Sequence, residues 1–237
     1  GLAMKLRAAL YAAWVYGLTF LLMALYLPLI LVPRAGIREA LKFWAHVMVW
    51  GMRFIGGVRL EVRGRENLPK GAYMIAAKHQ SMFDVVPPYL FAWDMLFVMK
   101  KELAKIPLFG WLSQKAKMIK VDREAGARAL LALIADAKRL MAEPRQLLIF
   151  PEGTRHPPGA PADYKPGVAA LYRELGLPCV PLATNSGVYM DPGGLVKKRG
   201  TVVVEILAPI PPGLKRAEFM SVLQERLESG SAALLSE

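Results

Sequence analysis

The chain opens on a long apolar stretch and then changes period. No charged residue occurs from Leu10 to Val32. Coiled at about 1.5 Å per residue, that run spans roughly 34 Å, close to the ~30 Å of a hydrocarbon core. Pro28 interrupts it near its end, Lys5 and Arg7 precede it, and Arg34 and Arg38 follow it. Basic residues on both flanks give no orientation, so a re-entrant hairpin in one leaflet competes with a true span. The run is longer than a secretory apolar region and no small-residue cleavage pattern follows, which argues against a cleaved signal peptide. From Arg38 to Val58 the pattern is helical. Arg38, Lys42, His46 and Arg53 fall within about 80° of one another on a helix. Most of the remainder is apolar, including Phe43, Trp44, Val47 and Trp50. A narrow basic stripe on an apolar helix predicts an interfacial helix whose basic side chains reach headgroups. A helix buried in protein with one solvated edge is the competing reading. Arg34 to Gly36 is the expected turn between the two helices.

After Gly56-Gly57, short apolar runs alternate with helical ones. The runs predict strands over 58–63, 73–77, 96–99, 118–121, 147–150, 179–184 and 202–207. Helices are predicted over 83–93, 102–114, 124–142, 167–175 and 216–227. Alternation of this kind implies an α/β fold, a largely buried mixed sheet flanked by helices. The expected organisation is an N-terminal membrane-associated two-helix motif over 1–57 and an α/β domain over 58–237. The segments 64–71 and 155–165 read as loops from their Gly, Pro and charge content. Loops beyond strand ends are where α/β folds place ligands.

Composition narrows the partners. The sequence is 54% hydrophobic and 21% charged, with a net charge of +12. Such an excess of cations favours polyanions: nucleic acid, anionic lipid or a phosphorylated substrate. No nucleic-acid-binding motif or polar basic stripe is present, and the apolar N-terminus points to lipid. The single cysteine, Cys179, lies in an apolar run and reads as a core thiol. With only His46, His79 and His156 in the chain, no metal site is expected.

Two segments carry chemistry. In Lys78-His79-Gln80-Ser81-Met82-Phe83-Asp84, the imidazole can take a proton from an alcohol if a carboxylate holds its other nitrogen. On a continuous helix the two side chains would stand about 140° apart. They meet only if His79 leaves a strand in a loop and Asp84 sits in the next helix's first turn. Ser81 to Asp84 also fits a capping box, in which Asp84 merely satisfies backbone donors. In Phe150-Pro151-Glu152-Gly153-Thr154-Arg155, the glycine lets backbone approach an anion and the guanidinium can grip a phosphate. Glu152 could position Arg155 or its backbone; a strand-end turn with a surface ion pair is the alternative. Lys100 and Lys101 add positive charge after another predicted strand, and Lys165 precedes a predicted helix. No G-x-S-x-G elbow occurs, and Cys179 has no evident base, which argues against a nucleophile-first hydrolase.

These blocks together resemble the glycerophosphate acyltransferase family, in particular its 1-acyl-glycerol-3-phosphate acyltransferases. His79 and Asp84 match the H-x-x-x-x-D motif. Lys100, Glu102, Leu103, Pro107 and Gly110 resemble K-x-E-L-x-x-x-P-x-x-G, and Arg123 matches its distal arginine. Phe150 to Arg155 match F-P-E-G-T-R, and Val180-Pro181-Leu182 resembles a fourth, proline-containing block. Lys78 stands where asparagine is frequent, adding charge near the base, and Ala116 stands near a common glycine. The resemblance implies acyl transfer from acyl-CoA or acyl carrier protein to the sn-2 hydroxyl of lysophosphatidic acid, giving phosphatidic acid. It implies His79 as base, Asp84 as its orienter, and phosphate binding by Lys100, Lys101, Glu152, Gly153, Thr154 and Arg155, with Arg123 and Lys165 as further candidates. No cofactor is expected, the partners are membrane lipid and the two substrates, and thioester donors place the site on the cytoplasmic face. Glycerol 3-phosphate or another lyso-lipid is the alternative acceptor; a non-catalytic lipid-binding scaffold is the alternative of another class.

Overall fold

A computed structural model describes residues 1–237. Helix α1 (Leu2–Tyr26) ends one residue before a 3-10 turn over Leu27–Leu31, where Pro28 cannot donate to a continuing α-helix. The segment Leu2–Leu31 is long and apolar enough to cross a membrane. Helix α2 (Ala35–Phe54) returns along α1. Trp14 lies against Gly51, where an added Cβ would meet its ring at 2.2 Å. The Trp14 indole N–H donates to the Val47 carbonyl, and that of Trp44 donates to Thr19 Oγ1, both at 3.0 Å.

Seven strands follow: β1 (Val58–Arg63), β2 (Tyr73–Ala77), β3 (Met95–Lys100), β4 (Ile119–Val121), β5 (Gln146–Ile149), β6 (Cys179–Thr184) and β7 (Gly200–Ile206). They form one sheet in the order β1-β7-β6-β2-β5-β3-β4. Every pairing is parallel except β6 with β7, so the sheet is mixed. The helices between are α3 (Pro88–Phe91), α4 (Phe109–Lys115), α5 (Ala127–Leu140), α6 (Gly167–Leu175), α7 (Ser186–Tyr189) and α8 (Arg216–Leu235).

Period-two alternation splits the core between the two faces of the sheet. Tyr73, Ile75 and Ala77 pack with Tyr11, Met48 and Met52 of the first two helices. Met74, Ala76 and Leu147 face Leu133, Leu171, Phe219 and Leu223 on the other side. Residues 1–57 thus share a core with the sheet. The turn between α1 and α2 is also pinned: Arg34 makes a fork of two 2.8 Å hydrogen bonds to Asp94, just before β3. Arg145, 1% exposed, lies 3.4 Å from the same carboxylate. Its other nitrogens donate to the carbonyls of Met95, Ala116 and Lys117. Of the predicted basic stripe, Arg38 and Lys42 lie over the Trp93 ring at 4.3 and 4.5 Å, whereas His46 and Arg53 are exposed.

Candidate active site

Strands β6, β2, β5, β3 and β4 run parallel, so their C-terminal ends share one rim. His79 leaves β2 there, and the chain turns through a 3-10 segment over Met82–Val85. The capping box and the histidine contact coexist. Asp84 Oδ2 accepts from the backbone N–H of Gln80 at 2.6 Å and of Ser81 at 2.8 Å, and lies 3.3 Å from His79 Nδ1. Its Oδ1 accepts from the Ser186 hydroxyl at 2.5 Å. With the carboxylate as acceptor, the imidazole tautomer that fits this contact is the one with its proton on Nδ1 and Nε2 free to accept. The Phe150 ring stacks on the imidazole at 3.9 Å and 16°, and the His156 N–H donates to the His79 carbonyl at 2.8 Å. The imidazole is therefore held on one edge and one face.

The β5 loop arrives beside it. Gly153 adopts φ +72°, which favours glycine, and closes a turn with its N–H on the Phe150 carbonyl. Arg155 is exposed, and its Nη1 donates to the Pro192 carbonyl at 2.5 Å. The Met82 N–H donates to that same oxygen at 3.0 Å, which ties the guanidinium to the loop between His79 and Asp84. Ser81 Oγ donates to the neighbouring Asp191 carbonyl. Lys100 is an exposed residue at the end of β3, and Arg123 lies just beyond β4 on the same rim. Lys101 is paired with Asp122 at 2.7 Å. Lys165 borders Gly153 and pairs with Asp163 at 3.0 Å. Thr154 is exposed on the loop.

Two expectations are corrected. Glu152 does not reach Arg155; it is 1% exposed and lies 3.2 Å from Lys78 Nζ. Lys78 does not add charge beside His79 either, because adjacent strand residues point to opposite faces. Its ammonium sits on the α8 side, 3.2 Å from Glu228 and over the Tyr164 ring. Burial, reinforced by Glu228 and Glu152, pushes the Tyr164 phenol well above its ordinary pKa. This buried group fastens the arginine-bearing loop to α8 from behind. Ser186 and the Asp191–Pro192 loop were missed. The signal available was the polar run Thr184-Asn185-Ser186 ending an apolar strand; what was absent was the knowledge that β6 neighbours β2.

An apolar cavity open to solvent is lined in part by Val85, the residue after Asp84. It runs between Leu22, Trp44 and Tyr89, Phe97 and Met99 of β3, and Phe109 and Leu112 of α4. The Arg34–Asp94 pair and Met95 line an adjoining small pocket near the other end of β3. A base and an exposed guanidinium thus share one loop cluster, and the residue after Asp84 lines an apolar slot, a set that suits an amphiphile with an anionic head.

Comparison with known proteins agrees. A family model described as Acyltransferase matches residues 59–185. The 1-acyl-sn-glycerol-3-phosphate acyltransferase of Pseudomonas aeruginosa is 32% identical over 226 residues, covering 95% of this chain and 86% of that protein. The human 1-acyl-sn-glycerol-3-phosphate acyltransferase alpha is 24% identical over 240 residues, 98% of this chain and 81% of its own. The crystal structure of the 1-acyl-sn-glycerophosphate acyltransferase PlsC from Thermotoga maritima superposes with a TM-score of 0.82 at 22% identity, covering 99% of this chain and 98% of that one. The last likeness is one of fold.

Proposed function

Because the chain belongs to the acyltransferase family, we propose that it moves an acyl chain from a thioester onto the free sn-2 hydroxyl of 1-acyl-glycerol 3-phosphate, giving phosphatidic acid. The observation that carries this reading is the His79–Asp84 pair, joined to Arg155 through the Pro192 carbonyl and followed directly by Val85, which lines the apolar cavity. His79 Nε2 takes the hydroxyl proton as the oxygen attacks the thioester carbonyl carbon. Asp84 stabilises the imidazolium that forms. The C–S bond breaks, and the leaving thiolate takes the proton back from His79, so the base is regenerated and no acyl-enzyme forms. The donor is acyl-CoA or acyl carrier protein.

Arg155 spends one nitrogen on Pro192, and its planar fork retains donors for a phosphate. Lys100, and Arg123 farther along the rim, add positive potential without a competing ion pair. The apolar segment Leu2–Leu31 would hold this rim at a bilayer, where acceptor and product both dissolve. Thioester donors put the rim on the cytoplasmic face. The test supplies radiolabelled acyl thioester and lysophosphatidic acid to protein reconstituted in vesicles. The expected outcome is labelled phosphatidic acid, and none with His79→Ala. Label appearing only when glycerol 3-phosphate or another lyso-lipid is offered would replace the acceptor. Tight lipid binding with no turnover of any acceptor would replace the reaction by a scaffold role.

A further inference from the structure

The block Lys100 to Gly110 does more than place Lys100 on the rim. Lys101–Lys105 is a 3-10 turn, and α4 starts at Phe109. Between them the chain reverses at Leu108, which sits at φ +67° and ψ −61°, with the Phe109 N–H donating to the Pro107 carbonyl at 2.8 Å. That is a γ-turn of the strained hand, a conformation non-glycine residues rarely hold. Gly110 then passes so close to the Ala104 carbonyl that an added Cβ would meet it at 2.0 Å. The block is a tight clip, and it leaves large apolar side chains in solvent: Leu103 is 36%, Ile106 47% and Trp111 53% exposed.

The inner face of α4 is fully used. Leu112 and Ala116 pack on Ile37 and Ala40 with Met23, Tyr26 and Leu29, and Phe109 and Leu112 wall the apolar cavity. Through α4 the clip is joined to the end of α1 and the 3-10 turn after it, where Leu25, Ile30, Leu31 and Val32 are also exposed. From Lys100 to Lys120 there are six lysines against one acid, Glu102. Lone exposed apolar residues need no explanation, but three on one strained clip, edged by lysines and continuous with an apolar helix, match a surface that rests on anionic lipid.

We propose that Lys101–Lys117 is a second bilayer-contacting element: Leu103, Ile106 and Trp111 enter the boundary between headgroups and acyl chains, while Lys105, Lys115 and Lys117 lie on anionic headgroups. This rests on the reading that α1 is in a bilayer. It makes α4 the wall between lipid and cavity, so a lipid acceptor reaches the site past this clip without crossing water.

Introduced-cysteine probes, with Cys179 replaced by alanine in every variant, test it in full-length protein reconstituted in vesicles of phosphatidylglycerol and phosphatidylcholine. An environment-sensitive nitrobenzoxadiazole dye is placed at Ile106→Cys or Trp111→Cys. Phe20→Cys on α1 serves as the bilayer reference, and Arg173→Cys on α6, across the sheet, as the water reference. Doxyl-labelled lipid is expected to quench positions 106 and 111 as it quenches position 20, and to spare position 173. Quenching at position 20 alone overturns the proposal and leaves the bilayer reading of α1 standing. No quenching at position 20 removes that reading and this inference with it. The double variant Ile106→Asp/Trp111→Asp gives the functional readout. It is expected to lower kcat/KM by about tenfold for a long-chain acceptor dissolved in vesicles, and to leave turnover of a short-chain, water-soluble acceptor unchanged. Equal loss on both acceptors would make the clip a structural part only.

Discussion

Replacing Asp84 by asparagine separates the two roles its carboxylate holds. As a cap, the residue needs an acceptor for the Gln80 and Ser81 N–H groups. Asparagine supplies one with its amide oxygen, which can also receive the His79 Nδ1–H, while the amide nitrogen faces the Ser186 hydroxyl as a donor. Local structure should therefore survive, with a change in unfolding free energy of under about 1 kcal/mol. What is lost is the charge opposite the imidazolium. At the 3.3 Å separation of Nδ1 and Oδ2, a unit-charge pair is worth roughly 5 kcal/mol at an effective dielectric constant of about 20. At about 1.4 kcal/mol per decade, that is a loss in kcat of some 10³- to 10⁴-fold, with KM for the acceptor nearly unchanged. Asp84→Ala provides the contrast. It orphans two buried N–H groups and should lower stability by about 2–4 kcal/mol as well as abolish turnover. Steady-state kinetics in vesicles and chemical denaturation of the same preparations read both quantities. A kcat for Asp84→Asn within tenfold of the parent would refute the reasoning, and would leave Asp84 as a helix cap alone.

The remaining predictions concern the supports of the site. Lys78→Met strands the buried Glu152 carboxylate and should cost about 3 kcal/mol, while Lys78→Met/Glu152→Gln should recover at least half of that in denaturant titrations. Gly110→Ala forces a Cβ onto the Ala104 backbone and should destabilise by about 1–3 kcal/mol, visible as a lower melting temperature. Burial pushes the Cys179 thiol up to about 12. At pH 8 it should resist alkylation in the folded protein and react only on unfolding. The sign for stability follows: the unfolded thiol ionises from about pH 8.5 while the folded one stays protonated, so this contribution is intact below that pH and is lost as pH rises towards 12.

The strands most bounded by glycine, proline or loop chemistry were the most legible. β1, β2 and β6 begin and end at their predicted residues, as does α6. The predicted helix over 83–93 breaks into Met82–Val85 and Pro88–Phe91. Pro87 and Pro88 supply no N–H donors, so the helical hydrogen-bond ladder cannot run through them. The predicted helix over 102–114 breaks at Pro107 and the γ-turn for a related reason. Conversely, α8 runs eight residues past the predicted end at Leu227, to Leu235. Gly230 lies in this added stretch, at the point where α8 presses on Leu207 and Ala183. In the site, the spacing of His79 and Asp84 was readable because both lie on one loop. Ser186, Pro192 and Glu228 come from strand order and from the docking of α8, and no local pattern encodes either. The fate of Lys78 was within reach, since period-two alternation already sends it away from His79.

The Arg34–Asp94–Arg145 group has a mechanical consequence. It bolts the bend of the N-terminal hairpin to the start of β3, and β3 carries Lys100 at its far end. The hairpin is thus a rigid bracket, and whatever fixes its depth also fixes the standing height of the reactive rim. Loosening that bolt would let the rim tilt and drift while every reacting group stayed intact.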